Sequence, residues 1–341
     1  MLDDLKYIHT KDSGDALGMA EKQWQQLEHE FPVPDLNKPD KVVFAGMGGS
    51  ALEALVSMTW PGYNVPFELV RDYDLPKYVD DKTLVIVSSY SGNTEEAVSV
   101  LEQAIASPAQ VVVLAGGGEL ADLTRDKHQI YVDLPKASQP RYAVFYALKA
   151  LVTMLERAGL VAEAEAEKAL HNSAEFLREE VKNWLPDVPT SNNPAKRLAR
   201  ELVGKSPVVY AGKVLASAAY KWKISFNENA KNVAWWGQYP EFNHNEFMGW
   251  SSHPHDKPYE VIDLRSSFDH PRVRKRFELS DKLLSGKRPK AHVVEAKGAT
   301  ILEQILWTIS YGDFVSIYLA LLNGVNPTPV DLIEKFKHEL G

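Results

Sequence analysis

Short apolar runs alternate with helical patterns through the first half of the chain. The apolar runs are residues 41–45, 67–71, 83–87 and 109–115. Apolar residues then recur at helical spacing over 50–57, and another helical pattern begins near Thr94. Continuous apolar strands separated by helices are typical of a parallel sheet that is covered on both faces. The pattern therefore predicts an α/β fold with a doubly wound parallel sheet.

The same alternation returns in the second half. Residues 140–184 have a helical pattern that begins with a proline, and the Pro- and Asn-rich segment 185–194 is typical of a linker. Further strands are predicted at 207–211, 259–264 and 292–296, followed by a helical tail over 300–322 and 329–340. We therefore predict two domains, residues 1–185 and 186–341.

Two segments suggest that these domains arose by internal duplication. "KVVFAGMGGSA" at 41–51 and "PVVYAGKVLASA" at 207–218 share an apolar strand, an Ala-Gly end and a Ser-Ala helix start. Their separation of roughly 166 residues is far too long for a solenoid repeat. The repeat instead predicts two related, flavodoxin-like α/β halves.

Composition limits the class of protein and the partners that can be expected. The 341 residues are 45% hydrophobic and 25% charged, which is ordinary globular usage, and the formal net charge of -8 disfavours nucleic acid or an anionic membrane as a partner. The absence of cysteine excludes disulfides, thiolate nucleophiles and Cys-ligated metals. With no secretory pattern at the first residues and no long apolar run, we expect a cytoplasmic protein.

Short hydroxyl side chains collect where two predicted strands end. Glycines beside them let a backbone approach a ligand, and the helix N-termini that follow favour anions. A phosphate monoester is thus a natural occupant. The hydroxyl residues are Ser50, Ser89, Ser91 and Thr94, and the glycines beside the first of them are Gly48 and Gly49.

A purely structural turn is the alternative interpretation of this loop. In that case Asn93 or Thr94 caps the next helix and Glu96 folds back onto the cap. The segment "GMGGS" also lacks the full spacing of a dinucleotide-binding loop.

A second polar constellation lies at 226–250, "FNENAKNVAWWGQYPEFNHNEFMGW". Glu228 and His244, sixteen residues later, are suited to acid/base work. The alternative is an ordinary capped or core histidine, here at the start of a predicted helix. Zinc is disfavoured, because the H-x-E sequence with His253 and His255 lacks convincing ligand spacing.

Four motifs together resemble the bifunctional phosphoglucose/phosphomannose isomerase family, which is built from two sugar isomerase (SIS) domains. They are "GMGGSA", "SSYSGNTEEA", "NENAKN" and "PEFNHNEF", and the resemblance runs from about residue 40 to the end of the chain. It implies interconversion of glucose 6-phosphate, and of mannose 6-phosphate, with fructose 6-phosphate through a cis-enediol. No metal or organic cofactor is expected.

The resemblance also implies roles for single residues. The hydroxyl residues and glycines named above would hold the phosphate, and Arg141 in "QPRYA" would lie near the reacting carbons. Glu228 would move the proton between C1 and C2. His244 would open the sugar ring, reaching the site from the partner subunit of a homodimer.

The C-terminal segment supplies two further expectations of the same kind. A lysine that assists ring opening matches Lys337 or Lys335, and we favour Lys337 because it lies beside the apolar side of the predicted helix. Thr328 is the expected determinant of dual glucose and mannose specificity.

Three rival functions remain open from the sequence: another SIS isomerase acting on a different sugar phosphate, a non-catalytic sugar-phosphate sensor, and a dinucleotide-dependent enzyme. The absence of a visible output module disfavours a sensor, and the third function rests on "GMGGS" alone.

Overall fold

The structure is a computed structural model that describes residues 1–32, 34–137, 139–252 and 258–340. The chain divides into two compact units. The first sheet unit is Gln23–Glu175, and the second sheet unit is Met1–Lys22 together with Phe176–Gly341. The domain boundary between residues 185 and 186 stays a prediction.

Strands and helices alternate along most of the described chain. The strands are β1 Lys41–Gly46, β2 Phe67–Val70, β3 Thr83–Ser89, β4 Gln110–Ala115, β5 Ile130–Asp133, β6 Ser206–Ala211, β7 Trp235–Gln238, β8 Tyr259–Arg265 and β9 His292–Glu295. The helices are α1 Leu5–Lys11, α2 Ala16–Lys22, α3 Leu52–Thr59, α4 Glu95–Ala106, α5 Gly118–Asp126, α6 Val144–Arg157, α7 Ala166–Val181, α8 Pro194–Glu201, α9 Ala216–Glu228, α10 Glu246–Gly249, α11 Pro271–Leu283, α12 Ile301–Leu322 and α13 Asp331–Leu340.

The first sheet unit is a doubly wound parallel sheet. Its strand order within the described residues is β2-β1-β3-β4-β5, the order of flavodoxin-like folds. Alternate residues of β1 enter different cores: Phe44 packs in one cluster with Leu151 of α6, and Val43 packs in the other with Val100 of α4. The predicted fold class is therefore confirmed for this half.

The second sheet unit repeats this topology in a shorter form. Its described strands are all parallel, in the order β7-β6-β8-β9, which matches the first four positions of the other sheet. One face carries an aromatic cluster that includes Tyr210, Tyr239 and Phe277. The prediction of two related α/β halves is confirmed at the level of topology.

The helix α12 forms the centre of the second sheet unit. By length and composition it could cross a membrane, but 94% of its most apolar window is buried inside the protein, as expected of a core helix. Its start is fixed by a capping box, in which Thr300 Oγ1 accepts from Glu303 N at 3.1 Å and Glu303 Oε2 accepts from Thr300 N at 3.2 Å.

Strands β5 and β7 were not predicted, and one predicted helical stretch contains two separate helices. Both β5 and β7 have four residues and lie at sheet edges, so their buried pattern is weak. The stretch 140–184 contains α6 and α7 with a break between them that includes Gly159, whose φ of 69° is left-handed. Pro140 opens a short 3₁₀ helix, Pro140–Tyr142, as its position predicted.

Candidate active site

The hydroxyl cluster lies at the topological switch point of the first sheet. Strands β1 and β3 are parallel neighbours, and the helices that follow them, α3 and α4, pack on opposite faces. Ser50 follows β1, Ser89 ends β3, and Thr94 directly precedes α4. Ligands of such sheets bind beyond the carboxyl ends of the strands at this point. The structure therefore brings together the four hydroxyl residues that the sequence predicted to lie close to one another.

Hydrogen bonds inside this cluster leave hydroxyl protons for a ligand. Ser50 Oγ accepts from Tyr90 N at 3.0 Å, so its own proton can still be donated. Ser89 Oγ lies 2.8 Å from Thr94 Oγ1 and 3.4 Å from Ser91 Oγ. These two contacts use at most two of the three hydroxyl protons. The cluster can thus donate hydrogen bonds to an anion while carrying no charge itself.

The structural-turn alternative fails for the side chains that it required. Thr94 occupies the N-cap position of α4, but its side chain makes no capping hydrogen bond. Asn93 Oδ1 accepts from Glu119 N at 2.9 Å, in the first turn of α5. Thr94 thus holds the N-cap position without the side-chain hydrogen bond of the capping alternative, and the side chain of Asn93 contacts α5 instead.

Glycine backbone and a buried arginine complete this edge of the first sheet. Gly48 has a left-handed φ of 50°, which an L side chain would strain. The backbone of Gly49 packs against Pro140 and Arg141, which follow β5. Arg141 is fully buried, donates to Gln139 Oε1 at 3.3 Å, and places its guanidinium carbon 4.9 Å from the ring centre of Tyr142. A buried positive charge is therefore held in the segment whose backbone packs against Gly49.

Glu228 is the last residue of α9 and is half-buried. The asparagines on either side fix the chain around it: Asn227 Oδ1 accepts from Ala234 N at 3.1 Å, and Asn229 Nδ2 donates to Ser316 Oγ at 2.9 Å. Lys231 Nζ donates to the carbonyl of Glu228 at 2.6 Å. The motif "NENAKN" thus holds the carboxylate at a defined helix end.

A buried cluster, which we call the α9–α12 polar cluster, anchors α9 further back. It consists of Lys221, Ser225, Asn229, Asp313 and Ser316, all of them buried. Lys221 Nζ donates to Asp313 Oδ1 and, at 2.8 Å, to Ser225 Oγ, while Ser225 Oγ donates to the same carboxylate at 2.7 Å. A compensated ion pair therefore joins the two helices two turns before Glu228.

His244 ends the 3₁₀ helix Glu241–His244 and is exposed. Its neighbour Asn243 donates to Ser280 Oγ at 3.0 Å and accepts from Arg276 at 3.1 Å. On the other side, Asn245 caps α10 by accepting from Glu246 N at 2.6 Å. The imidazole is thus presented outward from a backbone held on both sides, and the core-histidine alternative does not apply.

Glu228 lies at the amino ends of the strands of the second sheet, and His244 lies at their carboxyl ends. Since β6 and β7 are parallel, α9 must return between them, and its 13 residues cover about 20 Å. Asn232, just after α9, donates to the carbonyl of Lys205 at 2.8 Å, before β6 begins. Tyr239, at the other end of β7, donates its backbone N–H to the carbonyl of Ala211 at 2.8 Å, where β6 ends. One sheet therefore does not bring the two side chains together.

The remaining predicted residues lie in the C-terminal segment of the second sheet unit. Thr328 is half-buried, and its hydroxyl lies so close to Gly14 that a Cβ at that glycine would collide with it. The preceding residue, Pro327, accepts from Lys231 at 3.2 Å through its carbonyl. Lys231 thereby links the residue before Thr328 to the carbonyl of Glu228. Lys337 is on the exposed helix α13, where it pairs with Glu334 at 3.0 Å.

Two residues of the first sheet unit were missed by the sequence analysis. Glu53 is fully buried in the first turn of α3 and accepts from Ser88 Oγ at 2.6 Å. The available signal was an acidic residue among small apolar ones in "SALEALVS", which is equally typical of an ordinary first helical turn. Among the described residues no group of three or more His, Asp or Glu could hold a metal ion, while His253 and His255 lie outside the described residues.

The repeated sheet order, with a hydroxyl cluster at one switch point, defines an α/β protein of two flavodoxin-like halves, and a family match of the second half assigns it to the SIS class. A solved structure, a glucose-6-phosphate isomerase like protein from Thermus thermophilus, superimposes with a TM-score of 0.67. The match covers 99% of this chain and 98% of that one at 20% identity, and it shows the shared fold. Residues 191–340 match the family described as bacterial phospho-glucose isomerase C-terminal SIS domain.

Relatives in sequence narrow this class to one family. The bifunctional phosphoglucose/phosphomannose isomerase of Aquifex aeolicus is 33% identical over 325 residues, covering 94% of this chain and 97% of that protein. A D-glucosamine-6-phosphate 4-epimerase from Sulfolobus acidocaldarius is 30% identical over 238 residues, 68% of this chain and 72% of that protein. The chain belongs to the bifunctional phosphoglucose/phosphomannose isomerase family, and is thus an isomerase.

Proposed function

We propose that the protein interconverts glucose 6-phosphate and mannose 6-phosphate with fructose 6-phosphate through a cis-enediol. The uncharged hydroxyl cluster at the switch point of the first sheet is the observation that carries this proposal. It suits the monoester that these substrates share, and membership of the family supports the reaction. Ser50, Ser89, Ser91 and Thr94 donate to the phosphate oxygens, and the backbone at Gly48 and Gly49 allows close approach.

The proton transfer requires a base and a stabilising charge. Glu228 takes the proton from the carbon next to the carbonyl and returns it to the neighbouring carbon. Arg141, fully buried beside Gly49, stabilises the negative charge of the enediolate. Lys337 assists ring opening, and Thr328, next to the residue that Lys231 links to the carbonyl of Glu228, admits both C2 epimers.

Ring opening by His244 takes place across a homodimer. The opposite positions of Glu228 and His244 in one sheet support this arrangement, since a second copy can supply the missing imidazole. The edge strand β7 and the residues before it also carry exposed apolar side chains, Val233 at 61% and Trp235 at 47% exposure. Such side chains are typical of surfaces that contact another protein. We place this dimer in the cytoplasm.

Mixing two inactive variants tests the shared site. His244→Ala and Glu228→Gln homodimers are both expected to be nearly inactive on closed-ring substrate. After subunit exchange, a hybrid dimer has one site with both native residues, so about a quarter of wild-type activity is expected from statistical mixing. Steady-state rates before and after exchange measure this recovery. A mixture that stays inactive, with exchange verified by mass spectrometry, contradicts the shared site.

A coupled assay tests the reaction itself. Purified protein is given fructose 6-phosphate, and glucose 6-phosphate and mannose 6-phosphate are followed separately, with and without EDTA. We expect both products and unchanged rates in EDTA. Absence of glucose 6-phosphate contradicts the proposed reaction, and inhibition by EDTA contradicts a mechanism without metal.

The Sulfolobus relative favours one alternative substrate, an amino-sugar phosphate. Under that alternative the same hydroxyl cluster holds the phosphate, but the configuration at C4 changes. Incubation with glucosamine 6-phosphate, analysed by proton NMR for the C4 epimer, separates the two functions. Epimerisation that is faster than fructose 6-phosphate turnover would favour the alternative.

A further inference from the structure

A buried acid lies directly beneath the hydroxyl cluster. Glu53 is 0% exposed, three residues after Ser50, and its Oε1 accepts from Ser88 Oγ at 2.6 Å. Ser88 immediately precedes Ser89. The carboxyl thus joins the segment after β1 to the end of β3, and each of these segments supplies hydroxyls to the cluster.

Within the described part of the chain, this acid has no ion-pair partner to account for its burial. Its other oxygen, Oε2, is buried and makes no hydrogen bond to any residue that the structure describes. Burial raises the pKa of Glu53 to about 8, with the Ser88 hydrogen bond opposing the rise. Charged side chains on the surrounding elements do not contribute to this shift. Those side chains are Glu68 of β2, Arg141 after β5, and Lys149, Glu156 and Arg157 of α6.

We propose that Glu53 is a positioning residue for phosphate binding. As a neutral acid, it holds the segments after β1 and at the end of β3 together so that Ser50 and Ser89 face one dianion. The proposal rests on the proposed phosphate-binding role of the cluster. Glu53 does not contact the substrate. Because it lies under the cluster, its ionisation would place a negative charge below a bound dianion.

Proton linkage gives this role a distinct pH dependence. A bound dianion favours the protonated form of Glu53. Above the pKa of Glu53, the affinity for the dianion is therefore expected to fall by up to about tenfold per pH unit. The free energy of unfolding also depends on the ionisation of Glu53. The unfolded chain releases the proton near pH 4.5 and the folded chain near pH 8, so stability decreases between these values as pH rises and levels off above them.

Sulfate is the suitable probe, because it stays a dianion across about pH 6 to 9.5 and does not require turnover. Calorimetry on wild type should give a dissociation constant that is flat at low pH and rises above about pH 8. Glu53→Gln, which keeps the acceptor but cannot ionise, should bind sulfate nearly as wild type does at pH 6 and without the alkaline loss. Glu102→Gln, on the exposed side of α4, is the matched control and should lose affinity at alkaline pH as wild type does.

Ser88→Ala separates the hydrogen bond from the charge. It should weaken sulfate binding severalfold at every pH while retaining the alkaline loss, and in turnover it should raise KM more than it lowers kcat. If Glu53→Gln folds poorly, thermal unfolding against pH compares wild type with Ser88→Ala. The Ser88 hydrogen bond lowers the pKa of Glu53, so the stability decrease should extend to higher pH in Ser88→Ala, and identical profiles would overturn the role of Glu53. The same alkaline loss in Glu53→Gln and wild type would overturn the role of Glu53. A wild type that binds no sulfate at pH 6 would overturn the phosphate cluster itself.

Discussion

Glu228→Gln is expected to lower kcat by about 10²–10⁴-fold while leaving KM for fructose 6-phosphate nearly unchanged. Glutamine has almost the shape of glutamate, so the neighbouring contacts of Asn227 and Asn229 can persist. It cannot accept the proton, however, and the transfer between C1 and C2 loses its base. Exchange of the C2 proton of glucose 6-phosphate with D₂O, followed by NMR, measures the lost step directly.

The control for this variant is Glu201→Gln, an exposed glutamate at the end of α8. It should exchange the C2 proton at the wild-type rate. An exchange rate in Glu228→Gln within about threefold of wild type, less than any general base contributes, would assign the proton transfer to another residue.

Lys221→Met is expected to reduce the free energy of unfolding by about 3–5 kcal/mol. The substitution removes the ammonium that pairs with the buried carboxylate of Asp313. Urea unfolding at neutral pH measures the loss. Because the cluster anchors α9 two turns before Glu228, kcat should also fall in the fraction that remains folded.

The double variant Lys221→Met with Asp313→Leu is the informative comparison. Removing both charges leaves no unpaired ion, so its loss should be smaller than the sum of the two single losses. Lys223→Met, a partly exposed lysine of the same helix, should stay within about 0.5 kcal/mol of wild type. Additive losses in the double variant would show that the ion pair is not coupled.

The hydroxyl cluster could be predicted from sequence because its geometry is local. Ser89 and Thr94 are five residues apart on one loop, and the carboxyl ends of neighbouring parallel strands always share an edge. An apolar strand followed by a glycine or hydroxyl turn therefore fixes both the fold and this part of the candidate site. Even so, the contact of Asn93 could not be predicted, since its partner Glu119 is 26 residues away.

Relations between distant elements could not be predicted. The pairing of Lys221 with Asp313 spans 92 residues, and the burial of Glu53 depends on how α3 packs on its sheet. The separation of sixteen residues between Glu228 and His244 in the sequence suggested a pair. The intervening segment contains an entire strand, β7, which carries the histidine to the other end of the sheet. Only the strand order reveals that separation.

That separation has a thermodynamic consequence for the proposed dimer. A hexose phosphate that touches Glu228 of one copy and His244 of the other binds the pair and not the single chain. By mass action, substrate then draws the copies together, and dilution in its absence should release them. The specific activity would depend on enzyme concentration, with a lag after dilution that added substrate shortens.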